Sequence, residues 1–124
     1  MNIQVTTYVD NKKLLFEKNE GNFLEEENYY QITYKDKNSE ACDIRLEKNG
    51  EKVVINRASS PLNIGKEVTV SQYKTPYGLM DLHTKLIGVD VKEKSKFIQF
   101  EIEYRIIFSK IDSQLTKLKI LVTR

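Results

Sequence analysis

Phe97-Ile98-Gln99-Phe100-Glu101-Ile102-Glu103-Tyr104-Arg105-Ile106-Ile107-Phe108 is the stretch that decides the fold. Ile98, Phe100, Ile102, Tyr104, Ile106 and Phe108 alternate with Gln99, Glu101, Glu103 and Arg105, so one face is apolar and the other charged. A period of two belongs to a half-buried strand, whereas a helix needs apolar residues three and four apart. At ~3.3 Å per residue the run is about 40 Å long, more than a strand in a flat sandwich, so it has to coil with its sheet. Lys110-Ile111-Asp112-Ser113 turns the chain, and Leu118, Ile120 and Val122 run back with Lys117 and Lys119 outside.

Upstream, Leu79 to Lys92 is another extended arm, closed by Glu93-Lys94-Ser95-Lys96. Its alternation slips at Leu86-Ile87-Gly88, as a β-bulge makes it do. The corner before it is Gln72-Tyr73-Lys74-Thr75-Pro76-Tyr77-Gly78. Pro76 fixes φ and keeps Thr75 extended, and Gly78 is free to take positive φ. Val68, Val70 and Gln72 share one face and Thr69, Ser71 and Tyr73 the other, which predicts Gln72 inward, Tyr73 outward, and the turn at a barrel rim.

The first half has the same grammar. Ile3, Val5, Thr7 and Val9 share a face, Asp10-Asn11 turns, and Leu14 and Phe16 continue that face on the return strand of a hairpin. Tyr30, Ile32 and Tyr34 alternate after an acidic loop, Glu25-Glu26-Glu27-Asn28. Asp36 to Ser39 is turn material, and Cys42, Ile44 and Leu46 follow in alternation. Lys48-Asn49-Gly50-Glu51 is the strongest hairpin signal, because Asn-Gly accepts the two positive φ angles of a type I′ turn. Val53 and Ile55 pair back, and Arg57 has their parity, so it points with the apolar side chains unless the strand has already ended at a rim. Ala58 to Gly65 reads as a connection with a stray Leu62 and Ile64.

About eight to ten strands joined by short turns make neighbours in sequence neighbours in the sheet. The expected fold is all-β: a single antiparallel, mostly up-and-down barrel over residues 1–124, because closure removes the two exposed edges of an open sheet. The chain of 124 residues is one domain's worth, and Lys plus Arg exceed Asp plus Glu only 20 to 18, too little to imply a polyanionic partner. Cys42 is the sole cysteine, which excludes an intramolecular disulfide and reads as a small buried thiol. Met1 to Asp10 alternates instead of forming a signal-peptide core, and no apolar run approaches the length of a membrane helix, so a cytoplasmic protein with no membrane partner is expected.

Val53-Val54-Ile55-Asn56-Arg57, then Tyr73-Lys74-Thr75-Pro76-Tyr77-Gly78, Met80, Thr84 and the long penultimate strand resemble the YwiB-like proteins, small bacterial proteins of unknown function. The resemblance runs from about Gly21 to the end, and its specific part is the hexapeptide Tyr-x-Thr-Pro-Tyr-Gly. It implies a calycin, or lipocalin-like, barrel and no established activity. After the arginine, where the family is expected to carry glycine or a small residue, this chain has Ala58 and Ser59. With no tryptophan there is no Gly-x-Trp signature of secreted lipocalins.

Catalytic constellations are not apparent. His83 is the sole histidine and shares a strand face with Asp81, but Met80, Leu82 and Thr84 occupy the other face, so the pair is expected in solvent. One histidine and one cysteine cannot supply the three or four N/S ligands of a zinc site, and neither a nucleophile elbow nor a phosphate loop is present. A non-enzymatic protein without cofactor or metal is expected. Arg105, Lys110, Lys117, Lys119 and Arg124 gather on the last hairpin, a lesser case for nucleic acid that Glu101 and Glu103 weaken. Two readings remain. In one, the barrel holds a small, mostly apolar ligand, lined by some of Tyr30, Tyr34, Ile55, Val70, Phe100, Ile102 and Tyr104, with Arg57 or Gln72 as anchor for a carboxylate or carbonyl. In the other, those side chains fill the barrel and a rim with Tyr73, Thr75, Pro76, Tyr77 and Gly78 meets a protein partner.

Overall fold

The computed structural model describes residues 1–57 and 60–123; Ala58, Ser59 and Arg124 lie outside the described residues, and with them the expected small-residue turn after Arg57. Ten strands follow one another: β1 (Asn2–Val9), β2 (Lys12–Glu25), β3 (Tyr29–Lys35), β4 (Ala41–Glu47), β5 (Lys52–Arg57), β6 (Ser60–Gly65), β7 (Thr69–Thr75), β8 (Gly78–Glu93), β9 (Phe97–Ile107) and β10 (Ser113–Thr123). They form one ten-stranded antiparallel sheet in the order β6-β5-β4-β3-β2-β1-β10-β9-β8-β7. The meander is up-and-down throughout, and β1 pairs with β10, so the sheet curls into a nearly closed barrel. Among the described residues no helix occurs, so none is long and apolar enough to cross a membrane.

Two long strands bend the sheet. Residues 12–20 of β2 pair with β1 and residues 21–25 with β3, and β8 passes from β7 to β9 in the same way. The bend in β2 depends on Gly21: a Cβ there would overlap the Thr33 carbonyl oxygen and lie 2.6 Å from Ile3 Cδ1. The expected bulge in β8 is present, as a register shift between Leu86 and Gly88 that returns Val89 and Val91 to the inner face.

Ile3, Ile32, Ile44, Ile98, Phe100, Ile102 and Ile120 are fully buried inside the barrel. Each such side chain contributes about 1.5–3 kcal/mol through burial. Phe23 stacks on Tyr30 with ring centroids 6.1 Å apart, and both pack against Phe100, tilted at 5.9 Å and edge-on at 5.1 Å; the three plug one end, where Lys48 pairs with Glu25 at 2.8 Å.

Several local expectations are corrected. Residues 60–65 are not a connection but strand β6, with Leu62 and Ile64 buried; Pro61 fits there because β6 is an edge that needs no donor at that position. In the first hairpin Leu14 is the extra residue of a bulge opposite Thr7 and Tyr8. One residue of slip flips every later side chain, so Leu14 and Phe16 are exposed while Leu15, Glu17 and Asn19 turn inward. Asp10 and Asn11 hold the two positive φ angles of a primed turn, whereas in the Asn49-Gly50 loop only Gly50 does. Gly50 N–H donates to the Glu47 carbonyl and Glu51 N–H to Asn49 Oδ1, making a four-residue loop. Phe108 falls beyond β9, exposed in the turn.

β6 and β7 lie side by side but share no ladder. Side chains bridge the gap instead: Asn63 N–H donates to Ser71 Oγ of β7 at 2.9 Å, and the hydroxyls of Ser71 and of Thr84, on β8, donate to the Asn63 carbonyl at 3.4 and 3.2 Å. Ser71 and Thr84 are both buried. This seam satisfies an edge peptide that would otherwise be an open template for pairing.

Two expectations follow. Gly21→Ala forces a backbone shift at the β2 bend and lowers unfolding free energy by at least about 2 kcal/mol in chemical denaturation. Ser71→Ala leaves the Asn63 N–H without its acceptor, lowers stability by roughly 1–3 kcal/mol, and accelerates hydrogen exchange at Asn63 beyond exchange in β9.

Candidate functional site

The end of the barrel opposite the aromatic plug is polar. Tyr34, Cys42, Arg57 and Ser60 stand directly opposite one another across β3, β4, β5 and β6, forming one inward row. Tyr34, Cys42 and Ser60 are buried and Arg57 is half-buried, so the strand continues regularly through the arginine and takes it inside. On the facing wall Thr7 pairs with Leu118, and Thr116 with Tyr104.

Between these walls is a cavity of about 160 Å³. Arg57, Tyr73, Tyr104 and Thr7 supply its polar groups, and Ile55, Leu62 and Leu118 the apolar remainder. Pockets for drug-sized ligands run to about 300–1,000 Å³, so this one suits a small molecule or a single head group.

Burial works to lower the pKa of the Arg57 guanidinium, but its electrostatic and hydrogen-bond interactions with Cys42 and Tyr34 outweigh that effect and the net shift is upward. Arg57 therefore stays cationic. Burial raises the Tyr34 hydroxyl far above the usual phenol range, Cys42 adds to the rise and Arg57 opposes it. Tyr104 is pushed up to about 12, first by burial, with Arg57 opposing, Tyr73 adding and a hydrogen bond with Thr116 opposing. At neutral pH the site is thus one cation among neutral hydroxyls. Among the described residues the ion pairs are Met1–Glu20, Lys48–Glu25, Lys117–Glu103 and Lys119–Glu101; none involves Arg57.

Of the sequence-derived candidates, Arg57, Ile55 and Tyr104 line the cavity and Tyr34 backs the arginine. Tyr30 and Phe100 belong to the aromatic plug, and Ile102 to the core. Gln72 and Val70 are corrected: both are exposed, and Tyr73 points inward in their place. The physical reason is the two-residue loop Pro76-Tyr77. It pairs Thr75 with Gly78, hence Tyr73 with Met80 and Ser71 with Leu82, which puts Tyr73 on the face of Leu82 and Thr84. Counting back from that loop would have found Tyr73; the valines misled because they cover the outside of an edge strand.

At the corner, Thr75 Oγ1 donates to the Gly78 carbonyl at 2.7 Å and accepts from Tyr77 N–H at 3.2 Å, and Gly78 has φ of 115°. Tyr77 is fully exposed and does not cap the mouth. Asp81 and His83 are exposed on the outer face. Lys117 and Lys119 pair with Glu103 and Glu101 at 3.5 and 3.6 Å, and Arg124 of that basic group is outside the described residues. Among the described residues no three His, Cys, Asp or Glu side chains converge to hold a metal.

The fold and the cavity define a class: a ten-stranded up-and-down barrel with a filled centre and a small cationic mouth. Residues 2–120 match the sequence family described as "Domain of unknown function (DUF1934)", and the chain belongs to that family. The match takes in the first hairpin as well, and so extends upstream of the segment from about Gly21 that carries the sequence resemblance. Among solved structures the chain is similar to the crystal structure of the ywiB protein from Bacillus subtilis, with a TM-score of 0.72 at 14% identity over 97% of this chain and 87% of that one. This supports a YwiB-like protein and the same fold. None of the curated proteins matches the sequence.

The tyrosines predict an alkaline instability. Tyr104 has its pKa raised on folding, so its contribution is complete below about pH 10 and is lost as pH rises toward 12, a change of roughly 2–3 kcal/mol. Tyr34 acts in the same direction. Denaturant unfolding across that window shows stability falling with pH, and more shallowly in Tyr104→Phe.

Proposed function

We propose that this protein is a non-enzymatic binding protein whose lipocalin-like barrel holds one small ligand at the Arg57 end. The observation that carries the reading is a half-buried guanidinium, without a carboxylate partner among the described residues, facing a cavity of about 160 Å³. A charge withdrawn from water and unpaired is costly to keep for stability alone, and a ligand that completes its hydrogen bonds removes that cost. Because the barrel's centre is filled by Ile32, Ile44, Ile102 and their neighbours, the ligand sits at the mouth and does not thread the barrel. The lone buried thiol of Cys42 suits the cytoplasm, where we place the protein.

A second reading is an interaction module, favoured by the exposed Tyr77, Leu79, Phe108 and Ile111 on turns and strand ends at the same end of the barrel. The two separate cleanly. Under the first, denaturing mass spectrometry of purified protein finds a co-purifying small molecule that Arg57→Ala no longer retains, with the melting temperature of the ligand-free protein little changed. Under the second, Arg57→Ala is silent and Ile111→Ser abolishes capture of a partner protein.

A further inference from the structure

We propose that the ligand of the mouth is a short aliphatic monocarboxylate, with its head group on Arg57 and its chain against Ile55, Leu62 and Leu118; this rests on the binding reading above. The head group follows from charge. The groups beside the guanidinium are the Tyr34 hydroxyl and the Cys42 thiol, and every other polar group of the cavity is a hydroxyl, of Thr7, Tyr73 or Tyr104. Such a site has one positive charge and no negative one. A planar guanidinium matches a carboxylate with two parallel hydrogen bonds, stronger than those it makes to a neutral carbonyl.

A single cation also sets the valence. Phosphate carries nearly two charges and is met by several cations or backbone donors, whereas no lysine lines this cavity. A carboxylate needs one Arg57, and the hydroxyls of Tyr73 and Tyr104 are donors for any lone pairs left over. The tail follows from the rest of the lining, which is aliphatic, and its length from volume. At roughly 30 Å³ per water-sized group, about 160 Å³ holds five to six heavy atoms, an acid of about four carbons.

The test is a titration of the intact protein, followed by amide chemical shifts and calorimetry, with acetate, butyrate, octanoate, butyramide and inorganic phosphate. The proposal expects shifts at Arg57, Tyr73 and Tyr104, with affinity rising about fourfold per methylene from acetate to butyrate and no further gain for octanoate. Butyramide is expected to bind at least tenfold more weakly than butyrate, and Arg57→Gln to lose the same factor while Arg57→Lys keeps part of it. If butyramide or phosphate equals butyrate at these residues, the carboxylate assignment is overturned while the mouth remains a binding site. Silence from all five compounds overturns the proposal, and the mass-spectrometric search for a co-purifying molecule then shows whether the wider binding reading falls with it. The butyramide comparison needs no substitution, so it holds even if an Arg57 variant fails to fold.

Discussion

Everything in this barrel depends on closing a sheet whose two edge strands do not hydrogen-bond to each other as strands. β6 meets β7 through Ser71 and β8 through Thr84, whose hydroxyls take over the N–H and C=O of Asn63. Pro61 has the parity of Asn63 and offers no donor on that edge, so one proline and two buried hydroxyls replace a ladder. The remaining nine strand pairings, two of them with a bulge, curl the sheet far enough for these short side chains to reach.

With the seam closed, the two ends of the barrel acquire different chemistry. One is plugged by Phe23, Tyr30 and Phe100 and bordered by charged turns, while the other carries the row Tyr34, Cys42, Arg57 and Ser60. The inward arginine is compatible with a stable fold because Tyr34 and Cys42 stand beside its charge as hydrogen-bond partners and because it lies at the mouth and not at the centre. A cation at the centre, among Ile32, Ile44 and Ile98, would have no such partners. The mouth is therefore the place in this fold where specificity for a charged ligand can be built without dismantling the core.

Strand existence was legible because alternation over a long run, as in Phe97 to Ile107, has one physical meaning. The bulge at Leu86 to Gly88 was legible for the same reason, since an interrupted period reports an inserted residue. The slip at Leu14 was not, because Leu14, Leu15 and Phe16 are all apolar and either parity looks acceptable until the partner strand chooses. β6 was hidden for a different reason: Ser60-Pro61 carries turn chemistry, and only an edge position makes a strand of it.

The sequence by itself therefore determined the all-β class, the meander, the inward parity of Tyr104, and the corner at Thr75 to Gly78, since each follows from period or from local backbone chemistry, whereas it left Arg57 open between an inward position and a rim. The tertiary structure alone decided that the centre is filled, that Arg57 and Tyr104 meet across the mouth, and that the cavity between them is small. These depend on which strand pairs with which, and in what register, and a side chain's surroundings are set by partners that are distant in the chain.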